Sequence, residues 1–169
     1  YNVKKMINTI PNDKAFLTTN GKEQAKKVAE ELKNVKFDVI FVSDFLRTQQ
    51  TAAIIEEKIK NKTKILIDKR ISEINFNFDD FPVEKYYSAR SKSKDILNFK
   101  VGPKYESFLD LKKRISTFIK ALKIKKYKCV LVITHEACMM MAYSLLKKVP
   151  EKEAVFMKFP NCSYFNATV

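Results

Sequence analysis

Phe37-Asp38-Val39-Ile40-Phe41-Val42-Ser43-Asp44-Phe45-Leu46-Arg47-Thr48-Gln49-Gln50-Thr51-Ala52 is the stretch on which the fold turns. Its first six residues are a β-branched and aromatic run, which predicts a short buried strand. Ser43 and Asp44 follow at once as capping residues, and Ala52, Ile55 and Ile59 then recur at helical spacing. The order is strand, cap, helix. Arg47 falls one turn into that helix, where free backbone N–H groups and the macrodipole favour an anion. An exposed first-turn arginine paired with a carboxylate is the competing reading.

Two more units of the same kind lie downstream. Lys64 to Asp68 (KILID) predicts a second strand, and Cys129 to Thr134 (CVLVIT) a third, leading into a helix over about Ala137 to Lys147. Around them, Thr18-Thr19-Asn20-Gly21 caps a helix carrying Ala25, Val28, Ala29 and Leu32 on one face. Phe108, Leu111, Ile115, Phe118, Ile119 and Leu122 mark a further amphipathic helix between Glu106 and Leu122. Residues 69–104 read as irregular, with a short helix near 83–92. Val155 to Phe159 and Ser163 to Ala167 predict a terminal hairpin turning at Pro160-Asn161. Fully apolar strands alternating with helices imply an α/β fold: a mostly parallel central sheet with helices on both faces, three layers in all. Ligands in such sheets bind beyond the carboxyl ends of the strands.

Composition narrows the class. The 169 residues suit one domain that buries on the order of 70% of its unfolded surface. With 46% hydrophobic and 31% charged residues the chain is neither disordered nor low-complexity. No apolar run nears the roughly 20 residues of a membrane helix, and no signal peptide opens the chain, so a cytoplasmic protein is expected. Three cysteines without CxxC spacing argue against a disulfide framework or a structural zinc site and read as core thiols. The net charge is +14, yet only four of the 33 basic residues are arginine. Lysine spread along every segment reads as a solvated surface, since readers of nucleic-acid sequence favour forked arginine contacts.

The strand ends hold the candidate chemistry. His135, the single histidine, follows the third strand and opens a helix. There it can face a crevice, contact a phosphoryl oxygen, or simply cap the helix. Glu73, after the second strand, can serve as a general acid if burial raises its pKa, or can pair with Arg70 or a nearby lysine. Ser43 and Thr134 can add hydroxyl donors, though packing is the expected role of both.

Taken in order, Leu17-Thr18-x-x-Gly21-x-x-Gln24-Ala25, Ser43-Asp44-x-x-Arg47-Thr48-x-x-Thr51-Ala52, Ile71-x-Glu73-Ile74, Glu106-Ser107 with Arg114, and Val132-Ile133-Thr134-His135 resemble the histidine phosphatase superfamily, the phosphoglycerate-mutase-like enzymes. The resemblance runs over essentially the whole chain and implies a phosphate pocket at the sheet's carboxyl edge. It implies that Arg47 binds phosphate, that His135 is the second catalytic histidine and also contacts phosphate, that Glu73 protonates the leaving oxygen, and that Asn2 approaches the phosphate. No metal or cofactor is implied. The family's opening Arg-His-Gly motif, whose histidine becomes phosphorylated, is absent from these residues, and Tyr1-Asn2-Val3-Lys4 reads like the stretch just after it. The expectation is that the motif lies upstream of Tyr1. The loop after Glu73 has no glycine, and Glu136 stands where many relatives have one.

The resemblance implies a phosphatase that hydrolyses small phosphomonoesters through a phosphohistidine. The segment between Glu73 and Glu106 is short, which favours hydrolase over phosphoglycerate mutase; Lys85, Arg90 or Lys92 on the irregular insertion, about 75–104, are candidates for selecting substrate. A non-catalytic phosphate or phosphoprotein binder is the alternative, and basic nucleic-acid binding ranks below it. One domain over 1–169, a small phosphorylated partner, and no metal or membrane complete the expectation.

Overall fold

The computed structural model describes residues 12–75 and 83–169. After a 3-10 turn at Asn12–Lys14, helix α1 spans Thr19–Leu32, strand β1 Val39–Val42 and helix α2 Leu46–Glu56. Strand β2, Lys64–Ile67, runs into a 3-10 turn at Lys69–Ile71. Helices α3 (Val83–Ser91) and α4 (Phe108–Lys125), strand β3 (Val130–Ile133) and helices α5 (Glu136–Lys147) and α6 (Glu151–Ala154) complete the order.

Among the described residues the strands form one parallel sheet in the order β2-β1-β3. Val39 pairs with Lys64 on one side and Val130 on the other, and Val42 with Ile67 and Ile133. Because strand side chains alternate faces, the register sorts the core into two halves. Phe41, Val130 and Val132 face α4 and α5, joining Leu111, Ile115, Phe118, Cys138 and Met141. Ile40, Val42, Leu131 and Ile133 face α1 and α2, joining Ala29, Leu32, Ala52 and Ile55. The predicted layers are therefore helices, sheet, helices. Asp38 fixes the entry to this sheet, its carboxylate accepting from the backbone N–H groups of Lys128 and Cys129.

Helix α1 starts on the expected hydroxyl cap, whereas α2 opens on Phe45 with no side-chain cap, so Ser43 and Asp44 do not cap it. Thr18 Oγ1 accepts from Gly21 N at 3.0 Å to begin α1. Ser107 and Asp110 form a reciprocal capping box for α4. Helices α4 and α5 end on lysines in the left-handed region, Lys126 at φ 52° and Lys148 at φ 57°.

The terminal hairpin is a correction. Residues 155–169 contain no strand. The turn forms at Pro160-Asn161, with Ser163 N donating to Pro160 O at 2.9 Å, but Val155 closes α6. Phe159 and Phe165 instead pack their rings against Tyr143 of α5, at 5.8 and 5.1 Å. Apolar content that reads as strand propensity is used here for aromatic packing across the chain.

Candidate functional site

The parallel register delivers three loops to one edge. Beyond the strands, Ser43 N still donates to Ile133 O and Asp68 N to Val42 O. The segments 43–45, 68–74 and 134–135 therefore leave the sheet side by side, at its carboxyl end.

Arg47 and His135 meet there. Arg47 Nη2 lies 3.1 Å from His135 Nδ1, and the Phe45 ring supports both, 4.6 Å from the guanidinium carbon and 4.6 Å from the imidazole centroid. On its other side His135 Nε2 lies 2.8 Å from Ser43 Oγ, which in turn lies 2.7 Å from Thr48 Oγ1. His135 is the N-cap residue of α5, yet its side chain makes no capping hydrogen bond. The imidazole is 6% exposed. Burial first, then the guanidinium charges of Arg47 and Arg114, hold its pKa down at about 3, so the ring is neutral at physiological pH.

Glu73 comes from the third loop. Its Oε1 accepts from Ile74 N at 2.9 Å. Burial of the carboxyl pushes its pKa up to about 7; the Ile74 N–H, Arg47 and Arg114 oppose that rise and the Glu136 carboxylate adds to it. A carboxyl with that value both gives and takes a proton near neutrality. Glu73 does not pair with Arg70, whose guanidinium goes to Asp68 with Nη2 2.6 Å from Oδ2. Asp68 also accepts the Arg70 backbone N–H, which makes that pairing local and geometrically closed.

The turn bearing Glu73 is held from several directions. Arg114 of α4 forms a forked pair with Glu106, at 2.9 and 2.8 Å. Its Nη1 also donates to the carbonyls of Lys69, Arg70 and Ser72, at 3.2, 2.9 and 2.9 Å. Glu106 in turn accepts from Asn75 N. Thr134 Oγ1 donates to Ile71 O at 2.6 Å and Cys138 Sγ to Ser72 O at 2.9 Å. Ser72 Oγ donates to Asp44 Oδ1, tying the first loop to the second.

Several expectations change accordingly. Ser43 and Thr134, read as packing, spend their hydroxyls on the site and its scaffold. Of the three thiols only Cys138 is buried; Cys129 and Cys162 are half-buried. Arg90 lies under the core with its guanidinium 4.3 Å from the Phe108 ring centroid, whereas Lys85 and Lys92 are exposed. Glu136 Oε1 accepts from Phe159 N at 3.3 Å, which ties it to the C-terminal segment. Asn2 lies outside the described residues. The carbonyl clamp of Arg114 and the pairing of Ser43 with Thr48 go beyond the sequence expectations; a Ser immediately after a strand, with Thr five residues on at the buried face of the next helix, is the available signal for the second. Among the described residues no group of His, Cys, Asp and Glu is arranged to hold a metal, and no helix is long and apolar enough to cross a membrane.

The arrangement joins a guanidinium able to grip an anion to a neutral imidazole, beside a carboxyl poised to exchange a proton. Comparison with known proteins is consistent with that chemistry. Residues 4–168 match the family model of the histidine phosphatase superfamily, branch 1. The chain is 28% identical over 167 residues to fructose-2,6-bisphosphatase of Saccharomyces cerevisiae, covering 95% of this chain and 34% of that protein. It is 29% identical over 136 residues to the fructose-2,6-bisphosphatase TIGAR of Xenopus tropicalis, covering 79% of this chain and 47% of that protein. It thus spans less than half the length of these two curated relatives. Among solved structures, the α-ribazole phosphatase of Shigella flexneri has the same fold, with a TM-score of 0.73 at 20% identity over 90% of this chain and 77% of that one.

Proposed function

The chain belongs to the histidine phosphatase superfamily, and from that premise we propose that its strand-end cluster handles the phosphoryl group of small phosphomonoesters in a hydrolytic reaction. The observation that carries the reading is the 3.1 Å approach of Arg47 Nη2 to His135 Nδ1 at the carboxyl end of the sheet. The contact brings two groups from chain segments 88 residues apart to one point of the sheet's carboxyl edge, where a guanidinium and an imidazole can face the same oxyanion.

Arg47 binds the equatorial phosphoryl oxygens, and His135 faces the same oxygens from α5. Glu73 delivers its proton to the leaving alkoxide as the P–O bond breaks, and as carboxylate takes one from the water that releases phosphate. The phosphohistidine route uses a second imidazole as nucleophile; His135 is the only histidine among the 169 residues, so hydrolysis by that route would draw on a nucleophile from outside them. The short connection between Glu73 and Glu106 favours a hydrolase over a mutase, and phosphosugars and phosphoserine are the natural first substrates to assay. Residues 83–91 join the same domain, supported by Arg90 packing on Phe108 of α4. The free cysteines fit a reducing, cytoplasmic setting.

The solitary histidine also supports a second reading, a phosphate-binding relative without turnover. A panel of phosphomonoesters assayed with the full protein separates the two. Hydrolysis is expected, with His135→Ala lowering turnover by roughly 10²–10⁴-fold and Arg47→Ala raising the phosphate inhibition constant. Phosphate binding with no hydrolysis of any member supports the binder, and unchanged turnover in His135→Ala removes that residue from the reaction.

A further inference from the structure

We infer that Ser43 and Thr48 are positioning residues: as a one-way hydroxyl relay they fix His135 as the Nε2–H tautomer and turn its Nδ1 lone pair toward Arg47. The inference rests on the proposed function only for its consequence, because the hydrogen-bond directions follow from the partners themselves.

A guanidinium has donors and no acceptor. Arg47 Nη2, 3.1 Å from Nδ1, therefore donates, and Nδ1 carries no proton. At the other end, Thr48 Oγ1 lies 2.7 Å from the carbonyl of Phe45 and 3.3 Å from that of Ser43. A carbonyl only accepts, so the single Thr48 hydroxyl proton goes to the backbone. Thr48 Oγ1 must then accept from Ser43 Oγ at 2.7 Å. That uses the only proton Ser43 has, which leaves Ser43 Oγ an acceptor toward His135 Nε2 at 2.8 Å. The two ends impose the same answer independently. Ser43 is fully buried and Thr48 is 4% exposed, so water is poorly placed to reverse the chain. The low proton affinity of the buried imidazole is consistent with a single proton on the ring.

His135 consequently meets whatever enters beside Arg47 as an acceptor. At Nδ1, on the site side, it can accept a hydrogen bond from a water or a phosphate hydroxyl, and the Nε2–H remains bound to Ser43 when it does. With the opposite tautomer, Nε2 would need a proton from Ser43, which has none to spare.

His135 is the single histidine of these 169 residues, so the imidazole signals that disappear in His135→Ala assign it in long-range 1H–15N correlation of the ligand-free full protein at neutral pH. The expected spectrum has a protonated Nε2, an unprotonated Nδ1, and an Nε2-bound proton slow enough in exchange to observe. A proton on Nδ1, or on both nitrogens, overturns the inference before any variant is made. Because Arg47 alone would favour the same tautomer, the relay is isolated in its absence. Arg47→Ala should keep the Nε2–H form, and Arg47→Ala combined with Thr48→Val, which frees the Ser43 proton, should populate Nδ1–H. A tautomer mixture already present in Arg47→Ala, or a double variant identical to it, refutes the relay; backbone amide spectra confirm that each variant folds. If the tautomer is as assigned and the full protein hydrolyses nothing, only the proposed activity fails. A wrong tautomer in an active phosphatase fails the relay alone.

Discussion

Replacing Arg114 with Met keeps the aliphatic stem in place and removes the guanidinium that holds the Glu73 turn. The forked pair with Glu106 has both side chains about four-fifths removed from solvent, at 20% and 23% exposure. Breaking a buried pair from one side costs about 3–5 kcal/mol, and partial exposure moves this case to the lower end. Three carbonyls, of Lys69, Arg70 and Ser72, lose a charged donor as well. Each such bond contributes about 1 kcal/mol net, less where water can replace the donor. The sum is about 4 kcal/mol, a large share of the 5–15 kcal/mol that stabilises a typical domain. At roughly 2–4 °C per kcal/mol for a chain of this size, Tm falls by roughly 8–16 °C. Urea unfolding of the wild type and Arg114→Met, with the linear extrapolation, reads the difference directly. Arg114→Lys restores the charge without the fork and should recover less than half of the loss. A loss under about 1 kcal/mol in Arg114→Met, or full recovery by lysine, would show that the turn is held by its other partners and that the clamp is incidental.

Glu73 and Cys138 supply two more tests. Because the folded-state pKa of Glu73 is raised to about 7 from 4.5, the folded chain keeps a proton between those values that the unfolded chain has released. Stability is therefore greatest below the lower value and falls as pH rises through that window. Measured against Glu73→Gln, which does not titrate, the wild type should lose stability from about pH 4.5 to 7; a pH-independent difference contradicts the burial of that carboxyl. Cys138 is fully buried, with its thiol pushed up to about 12 by burial first and then by the Glu73 charge. A thiol reagent at mildly alkaline pH should label Cys129 and Cys162 while Cys138 reacts only on unfolding, and prompt labelling of all three in native protein would show that the core beneath the turn is open.

The sheet is readable in the sequence because each strand is a largely apolar run too short for a helix and followed at once by polar residues. Phe37 to Val42 and Cys129 to Thr134 show this plainly, and the strands they contain begin two and one residues later, at Val39 and Val130. The placement of Arg47, Glu73 and His135 at the carboxyl edge is readable from their position after those strands. The support beneath them is not. Arg114 acts on backbone carbonyls, and every residue has one, so no residue type marks the acceptors. The direction of the Ser43 and Thr48 hydroxyls depends on which carbonyl lies within reach, a fact of tertiary placement. Residues 155–167 failed for a different reason: Phe159 and Phe165 have strand propensity, but strand formation also needs an edge in register, and Tyr143 offered a ring instead.

Lys126 and Lys148 hold α4 and α5 closed in a backbone conformation that glycine adopts freely and that costs a side-chain-bearing residue about 1 kcal/mol. The whole chain has two glycines, at Gly21 and Gly102, and neither lies at positive φ. Stability thus goes unclaimed at two surface positions remote from the pocket. Whatever sets the lysine content of this protein acts against the preferences of its own helix ends, and the fold tolerates the burden.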